Sequence, residues 1–192
     1  MLTRRNMITG LACAIGVMPA VAAATTTIRP ETRLDALVPR IDPVVDMSNA
    51  HTGERISLRY YSPSGYDLNA IRQINWFMRD FRQREAIQMD ARLFWTLSAI
   101  RMAARQDGHS GHTILLSGYR SERTNRMLRE RGVNAARNSL HIIGKAADIT
   151  LEGVSIEHLA NYARWLQVGG VGSYRRSNFV HIDSGHERGW TG

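Results

Sequence analysis

The spacing of apolar residues changes several times along the chain, and each change predicts an element. Ile56-Ser57-Leu58-Arg59-Tyr60-Tyr61 alternates like a strand between turns at Thr52-Gly53-Glu54-Arg55 and Ser62-Pro63-Ser64-Gly65. From Asp67 the spacing lengthens to three and four, and Leu68, Ile71, Ile74, Trp76, Phe77 and Phe81 predict a helix. A second helix is expected over residues 90–106, with Leu93, Leu97, Ile100 and Ala104 on one face and Gly108 as its stop. Thr113 to Leu116 forms a short apolar strand that runs into Ser117-Gly118-Tyr119-Arg120-Ser121. Ser121 caps a helix to about Leu128, and Gly132 ends it. Residues 146–151 read as a strand, and Ser155 caps a helix that buries Ile156, Leu159, Ala160, Ala163 and Leu166. Gly169-Gly170-Val171-Gly172 is a turn or bent strand, and residues 179–183 are the last strand. Mixed helices and short strands with tight returns predict an α+β fold, a single compact domain on a small antiparallel sheet, rather than a doubly wound one. Trp76, Phe77 and Trp165 sit at helical spacing and are expected in the core.

The N-terminal third reads differently. Three of the five prolines, Pro30, Pro39 and Pro43, fall in residues 25–47, which predicts an extended arm or linker and a folded domain over 48–192. Ahead of it, Arg4-Arg5 precedes an apolar run from Met7 to Val21 and then the small residues of Pro19-Ala20-Val21-Ala22-Ala23-Ala24. These are the three regions of a signal peptide over residues 1–24, and the run is too short for a membrane span. The arginine pair resembles a twin-arginine (Tat) signal, although paired cations also open ordinary secretory signals.

Charge and cysteine then narrow the chemistry. The formal net charge is +8, and residues 1–24 contain no acid, so the exported form stays strongly basic. Export excludes a nucleic-acid partner and leaves the anionic wall or outer-membrane surface met in a bacterial periplasm. The single cysteine, Cys13, lies in the signal. The mature protein therefore has no disulfide, and any metal must be held by His and carboxylate, the set that suits catalytic zinc.

Candidate ligands cluster in the last third, in Ser139-Leu140-His141 through Asp148 and in Phe179-Val180-His181-Ile182-Asp183. On a strand, His181 and Asp183 point one way, while Val180 and Ile182 point to the core. Asp148 stands inside the apolar strand Ala146-Ala147-Asp148-Ile149, where a carboxylate is disfavoured unless it is paired or bound to a cation. Two imidazoles and a carboxylate with an open fourth position make a catalytic zinc site. Singly, each of these is also an ordinary histidine or a turn-capping Asp; their joint presence is what points to a metal.

These segments, with Gly169-Gly170-Val171-Gly172-x-Tyr174, resemble the clan of zinc D-Ala-D-Ala carboxypeptidases and murein endopeptidases, the Hedgehog-like peptidases. Within it the chain resembles the YcbK-like (MepK-like) endopeptidases, also at Ala50-His51-Thr52-Gly53-Glu54, Arg79-Asp80-Phe81-Arg82, Ser117-Gly118-Tyr119-Arg120-Ser121 and Gly189-Trp190, over roughly residues 47–190. The resemblance implies a zinc peptidase fold with Zn2+ on His141, Asp148 and His181, acting on peptidoglycan peptide cross-links near diaminopimelate. It implies that Arg120 faces the cleft as a clamp for a peptide carboxylate. Asp183 is the expected general base, or else an orienter of the site, with Glu187 and Glu152 as weaker candidates for the base. Related clan members carry an acid three positions before the last His ligand, where this chain has Asn178; others carry a His two positions before it, where this chain has Phe179. Asn178 keeps a second reading open, a non-catalytic zinc-containing module that binds wall peptides.

Overall fold

The structure is a computed structural model that describes residues 31–192 apart from Asn134. The expected signal peptide at 1–24, and the arm as far as residue 30, lie outside the described residues.

A seven-stranded sheet runs in the order β2-β1-β5-β6-β8-β7-β9. Its strands are β1 (Val44–Asn49), β2 (Arg55–Arg59), β5 (Thr113–Ser117), β6 (Ala146–Leu151), β7 (Gly170–Tyr174), β8 (Phe179–Asp183) and β9 (Arg188–Thr191). The small pair β3 (Tyr61–Ser62) and β4 (Gly65–Tyr66) stands apart. The helices are α1 (Arg33–Leu37), α2 (Leu68–Phe77), α3 (Ala91–Gln106), α4 (Glu122–Glu130) and α5 (Ile156–Trp165). The α+β class holds, but the sheet is larger than expected and mixed, because β1 runs parallel to β5 and β7 parallel to β9. A parallel pair needs a long crossover, and α2 and α3 supply it between β1 and β5.

The arm expected over 25–47 is corrected by β1, an internal strand of the sheet. Val45 and Met47 are buried on its core side. The prolines hid this because each sits where no ladder N–H is needed: Pro39 in the 3-10 turn Val38–Arg40, Pro43 just ahead of the strand. α1 is tied down as well. Leu34 is buried, Thr32 and Asp35 cap the helix reciprocally, and Arg92 of α3 donates to Asp35 Oδ1 at 2.8 Å.

α3 packs across β1, α5 packs across β6, β7 and β8, and the two helices touch. Ile149, Leu151, Val180 and Ile182 belong to that core. Asp148 and His181 alternate with them, on the opposite face. α2 ends at Phe77, short of Phe81, because the Asp80 carboxylate turns the chain by accepting from the Arg82 and Gln83 amides at 3.0 and 3.3 Å. Phe77 is core, but Trp76 and Trp165 are 45% and 52% exposed and lie under the guanidinium groups of Arg79 and Arg33.

The corrected boundary has a direct test. A chain cut to 48–192 loses an inner strand and leaves β2 and β5 unpaired on that side; it is expected to show no cooperative thermal unfolding, whereas 31–192 keeps it.

Candidate metal centre

Strand register delivers two of the three candidate ligands. Asp148 of β6 and His181 of β8 are direct cross-strand partners, so their side chains leave one face side by side. His141 arrives from the 3-10 turn Leu140–Ile143, which closes on Gly144 at φ 68. A Cβ there would come within 2.8 Å of the Gln88 carbonyl, so this turn requires glycine twice over. His141 Nε2 lies 3.2 Å from Asp148 Oδ1 and 3.2 Å from His181 Nδ1, and His181 Nδ1 lies 2.9 Å from Asp148 Oδ1. Tetrahedral bonds of about 2.0–2.1 Å set donor atoms roughly 3.3 Å apart. The donor set and its spacing therefore fit zinc, and no other group of this kind occurs among the described residues.

The far nitrogens of both rings fix their tautomers. His141 Nδ1 is 2.7 Å from the Gly118 carbonyl, which can only accept, so that nitrogen carries the proton and Nε2 offers its lone pair to the site. His181 Nε2 is 3.1 Å from Asp183 Oδ2, which likewise leaves Nδ1 free to bind a cation.

Asp183 stands behind His181, on the side away from Asp148. Its side chain is fully buried. The Gly170 and Gly185 amides donate to it at 2.9 and 2.8 Å, and Arg188 binds it through NH2 at 2.6 Å and NH1 at 3.2 Å. Both of its oxygens are engaged by these donors, and Oδ2 meets His181 Nε2, the contact that the expected orienter of the site would make. Burial raises the Asp183 pKa, but the bonds from His181, Gly170, Arg188 and Gly185 outweigh it and hold the carboxyl well below the usual range. Asp148 is held low in the same way, burial being outweighed by His141 and His181. For His181, burial favours the neutral ring, but Asp148 and Asp183 on either side push it up to about 8 in the metal-free site.

Two glycines of β7 make this packing possible. Gly172 lies between His181 of β8 and Trp190 of β9. Its missing side chain lets the Trp190 ring lean to within 5.3 Å of His181. Gly170, two residues earlier on the same face, pairs with Arg188 and clears the path from that guanidinium to Asp183. The short connection from β8 to β9 crosses the start of β7, and a Cβ on Gly169 would sit 2.0 Å from the Asp183 carbonyl. Of the two readings expected here, a turn or a bent strand, the second holds: Gly170 and Gly172 lie in β7, which Gly169 leads into, and other groups lie against all three glycines.

The remaining motifs brace the site from the other side. Gly118 packs on Met78, where a Cβ would meet the Met78 carbonyl at 2.3 Å, and the Tyr119 amide donates to that carbonyl at 2.7 Å. Buried Asp80 accepts from the Ser121 amide and hydroxyl at 3.0 and 2.8 Å, and Ser121 caps α4. Asn49 accepts from the His51 and Thr52 amides, and His51 stacks on Phe81 at 4.6 Å. Arg120 reaches the cleft. Its NH2 donates to Ser139 Oγ at 3.1 Å, and its buried Nε has no partner among the described residues. Burial lowers its pKa from the usual guanidinium value.

The cleft over the three ligands has a volume of about 290 Å³ and is walled by Arg120, Tyr174, Phe179, Arg188 and Trp190. Asp148 is the only acid that lines it among the described residues. Of the weaker candidates for the base, Glu152 accepts from Ser110 Oγ at 3.0 Å outside the cleft, and Glu187 is exposed and does not line it. Asn178 occupies the β7–β8 turn at φ 55, a left-handed position that Asn tolerates well. Sequence reasoning missed Arg188 and the Gly118 carbonyl. The signal for Arg188 was available, since a buried Asp183 needs a cation and Arg188 is the next arginine along the chain.

Comparison with known proteins agrees with this geometry. The family model described as peptidoglycan L,D-endopeptidase MepK matches residues 39–190. The chain is 35% identical over 182 residues to the peptidoglycan L,D-endopeptidase MepK of Escherichia coli K12, covering 94% of this chain and 92% of that one. It is 32% identical over 184 residues to a probable peptidoglycan L,D-endopeptidase MepK of Haemophilus influenzae, covering 95% and 91%. No solved structure matches the chain significantly.

The glycine stretch gives a graded test. Gly172→Ala places a Cβ 2.4 Å from the Trp190 ring and Gly170→Ala places one 2.4 Å from Asp183 Oδ2, whereas the nearest atom at Gly189 is 3.8 Å away. The first two changes are expected to cost about 1–3 kcal/mol by urea unfolding, and Gly189→Ala less than about 0.5 kcal/mol. Equal costs at all three positions would rule out close packing as the reason for the glycines.

Proposed function

The chain belongs to the peptidoglycan L,D-endopeptidase MepK family, and from that premise we propose that it is a zinc-dependent murein endopeptidase of the bacterial periplasm, cutting peptide cross-links near diaminopimelate. The observation that carries this reading is the donor set: two imidazoles, each fixed from behind in the tautomer a cation needs, and one carboxylate, at tetrahedral spacing. His141, Asp148 and His181 hold the zinc. When bound, zinc supplies a Lewis acid that polarises the scissile carbonyl and acidifies water.

The chain's own residues do the rest. Asp183, clamped by Arg188, fixes the His181 ring and raises its basicity as a ligand. Arg120, which lines the cleft, offers a guanidinium to a peptide carboxylate. Trp190, whose indole donates to the Tyr174 hydroxyl at 2.8 Å, and Phe179, stacked on Tyr174, form an apolar wall that limits water near the ligands. The exported location rests on the charged, apolar and small-residue regions of residues 1–24; among the described residues no helix is long and apolar enough to cross a membrane. The basic surface favours retention on the anionic wall, an effect that salt weakens.

One observation favours a second reading, a zinc-containing module that binds wall peptides without cutting them: Asp148 is the only acid lining the cleft, and Asn178 serves a turn. Incubating isolated peptidoglycan with the wild type and with His181→Ala separates the two. The endopeptidase reading expects uncrosslinked muropeptides from the wild type alone; stoichiometric zinc without product would leave only the binding module. Asp183→Asn is expected to weaken zinc by about 10–100-fold while the fold persists.

The proton and the metal compete at His181. Its metal-free pKa is raised to about 8, so the stability that the protonated ring contributes is complete below about 6.5 and is lost as pH rises through about 8. Zinc requires the neutral ring, so its affinity rises with pH over the same window, about tenfold per unit for one proton released, and levels off above it. Chelator competition from pH 6 to 9 checks this; a flat profile would contradict it.

A further inference from the structure

A second cavity, larger than the metal cleft, lies beside it. A space of about 950 Å³ opens between α4 and residues 137–143, and it shares Asn138, Ser139 and Leu140 with the cleft as a common wall. Ser139 on that wall accepts from Arg120. The two spaces are therefore adjacent compartments, with the clamp arginine against the partition.

The charges lining this cavity are distinctive. Glu122, Arg126, Arg129 and Glu130 lie at helical spacing along one face of α4, and Arg137 faces them. None of the five has an ion-pair partner among the described residues. A buried amide stands at the base of the same face. Asn125 lines the cavity and is 2% exposed, and its Nδ2 donates to the Ala136 carbonyl at 2.9 Å. That bond fixes the amide's orientation and leaves buried Oδ1 without a donor among the described residues. Buried acceptors are seldom left unmet, because desolvating them without a replacement bond is costly.

We propose that this cavity is a second substrate subsite, which holds the zwitterionic peptide arm that continues away from the bond at the metal centre. Three guanidinium groups suit carboxylates, while Glu122 and Glu130 suit ammonium and amide N–H groups. A stem peptide containing a diamino diacid carries both kinds of group. A nucleic acid or polyphosphate brings anions only and would meet the two glutamates. The subsite rests on the endopeptidase reading for its place in catalysis, but not for its binding chemistry.

The test measures binding and turnover separately. The binding ligand is the tripeptide L-alanyl-γ-D-glutamyl-diaminopimelate, titrated by calorimetry into the full mature chain. Wild type and His181→Ala are expected to bind it alike. Arg126→Gln/Arg129→Gln is expected to weaken it at least about tenfold. Arg123→Gln, which removes the same charge from α4 but lines neither cavity, is expected to bind within about twofold of wild type. With cross-linked muropeptides the double variant is expected to raise KM by a similar factor, its zinc content unchanged. Unaltered binding and KM in the double variant would overturn the subsite, as would loss of tripeptide binding in His181→Ala, which would place the peptide on the metal ligands. If the wild type binds the tripeptide but cuts nothing, the endopeptidase reading fails and the subsite stands. If it cuts while the double variant is unchanged in binding and KM, the subsite alone fails.

Discussion

Asp183 is a full negative charge with no access to solvent, and much of the surrounding structure follows from keeping it there. A carboxylate in that position is tolerated only when its oxygens are saturated by donors. Two backbone amides, one guanidinium and one imidazole do this. Each donor carries a structural demand. The Gly170 amide requires β7 beside β8, Arg188 requires β9 on the far side of β7, and the path between them requires glycine at 170. The imidazole is the one that matters chemically, because the same contact that neutralises Asp183 sets the ring of His181.

The site is thus organised from behind. On one side a backbone carbonyl at Gly118 aligns His141; on the other a clamped carboxylate aligns His181; Asp148 between them is placed by strand register alone. None of these supports faces the cleft. The cleft itself is walled by Arg120, Arg188 and three aromatic residues on one part, and by Val133, two alanines, Asn138, Ser139 and Leu140 on another. Arg188 links the two sides, since it walls the cleft and also clamps Asp183 behind His181.

Much of the site was legible in the sequence because its elements are local and periodic. A strand of alternating residues announced that His181 and Asp183 lie close together, and an Asp within an apolar strand announced a paired carboxylate, which His141 and His181 meet. The helices over 91–106 and 156–165 followed from their caps and apolar spacing. What was not legible depended on long-range placement. β1 was hidden behind prolines that break patterns without breaking the strand. The parallel pairing of β7 with β9 leaves no trace in local periodicity, so Gly169-Gly170-Val171-Gly172 could be read as a turn or as a bent strand. The same gap explains Asp183: a carboxylate beside a ligand suggests a base until the cation that occupies it, Arg188, is seen to arrive from another strand. Trp76 and Trp165 follow a helical spacing but lie on faces that only the packing shows to be outward.

The position of β9 has a consequence for the order in which the molecule is built. Synthesis delivers the three candidate metal ligands, and Asp183 with them, before residues 188–191. Until that strand docks, Asp183 lacks the guanidinium that makes its burial tolerable, and His181 lacks a fixed support. A nascent chain ending short of Arg188 therefore holds every ligand without a settled ring to bind through. The candidate metal centre is therefore settled only once β9 has docked beside β7 and brought Arg188 to Asp183.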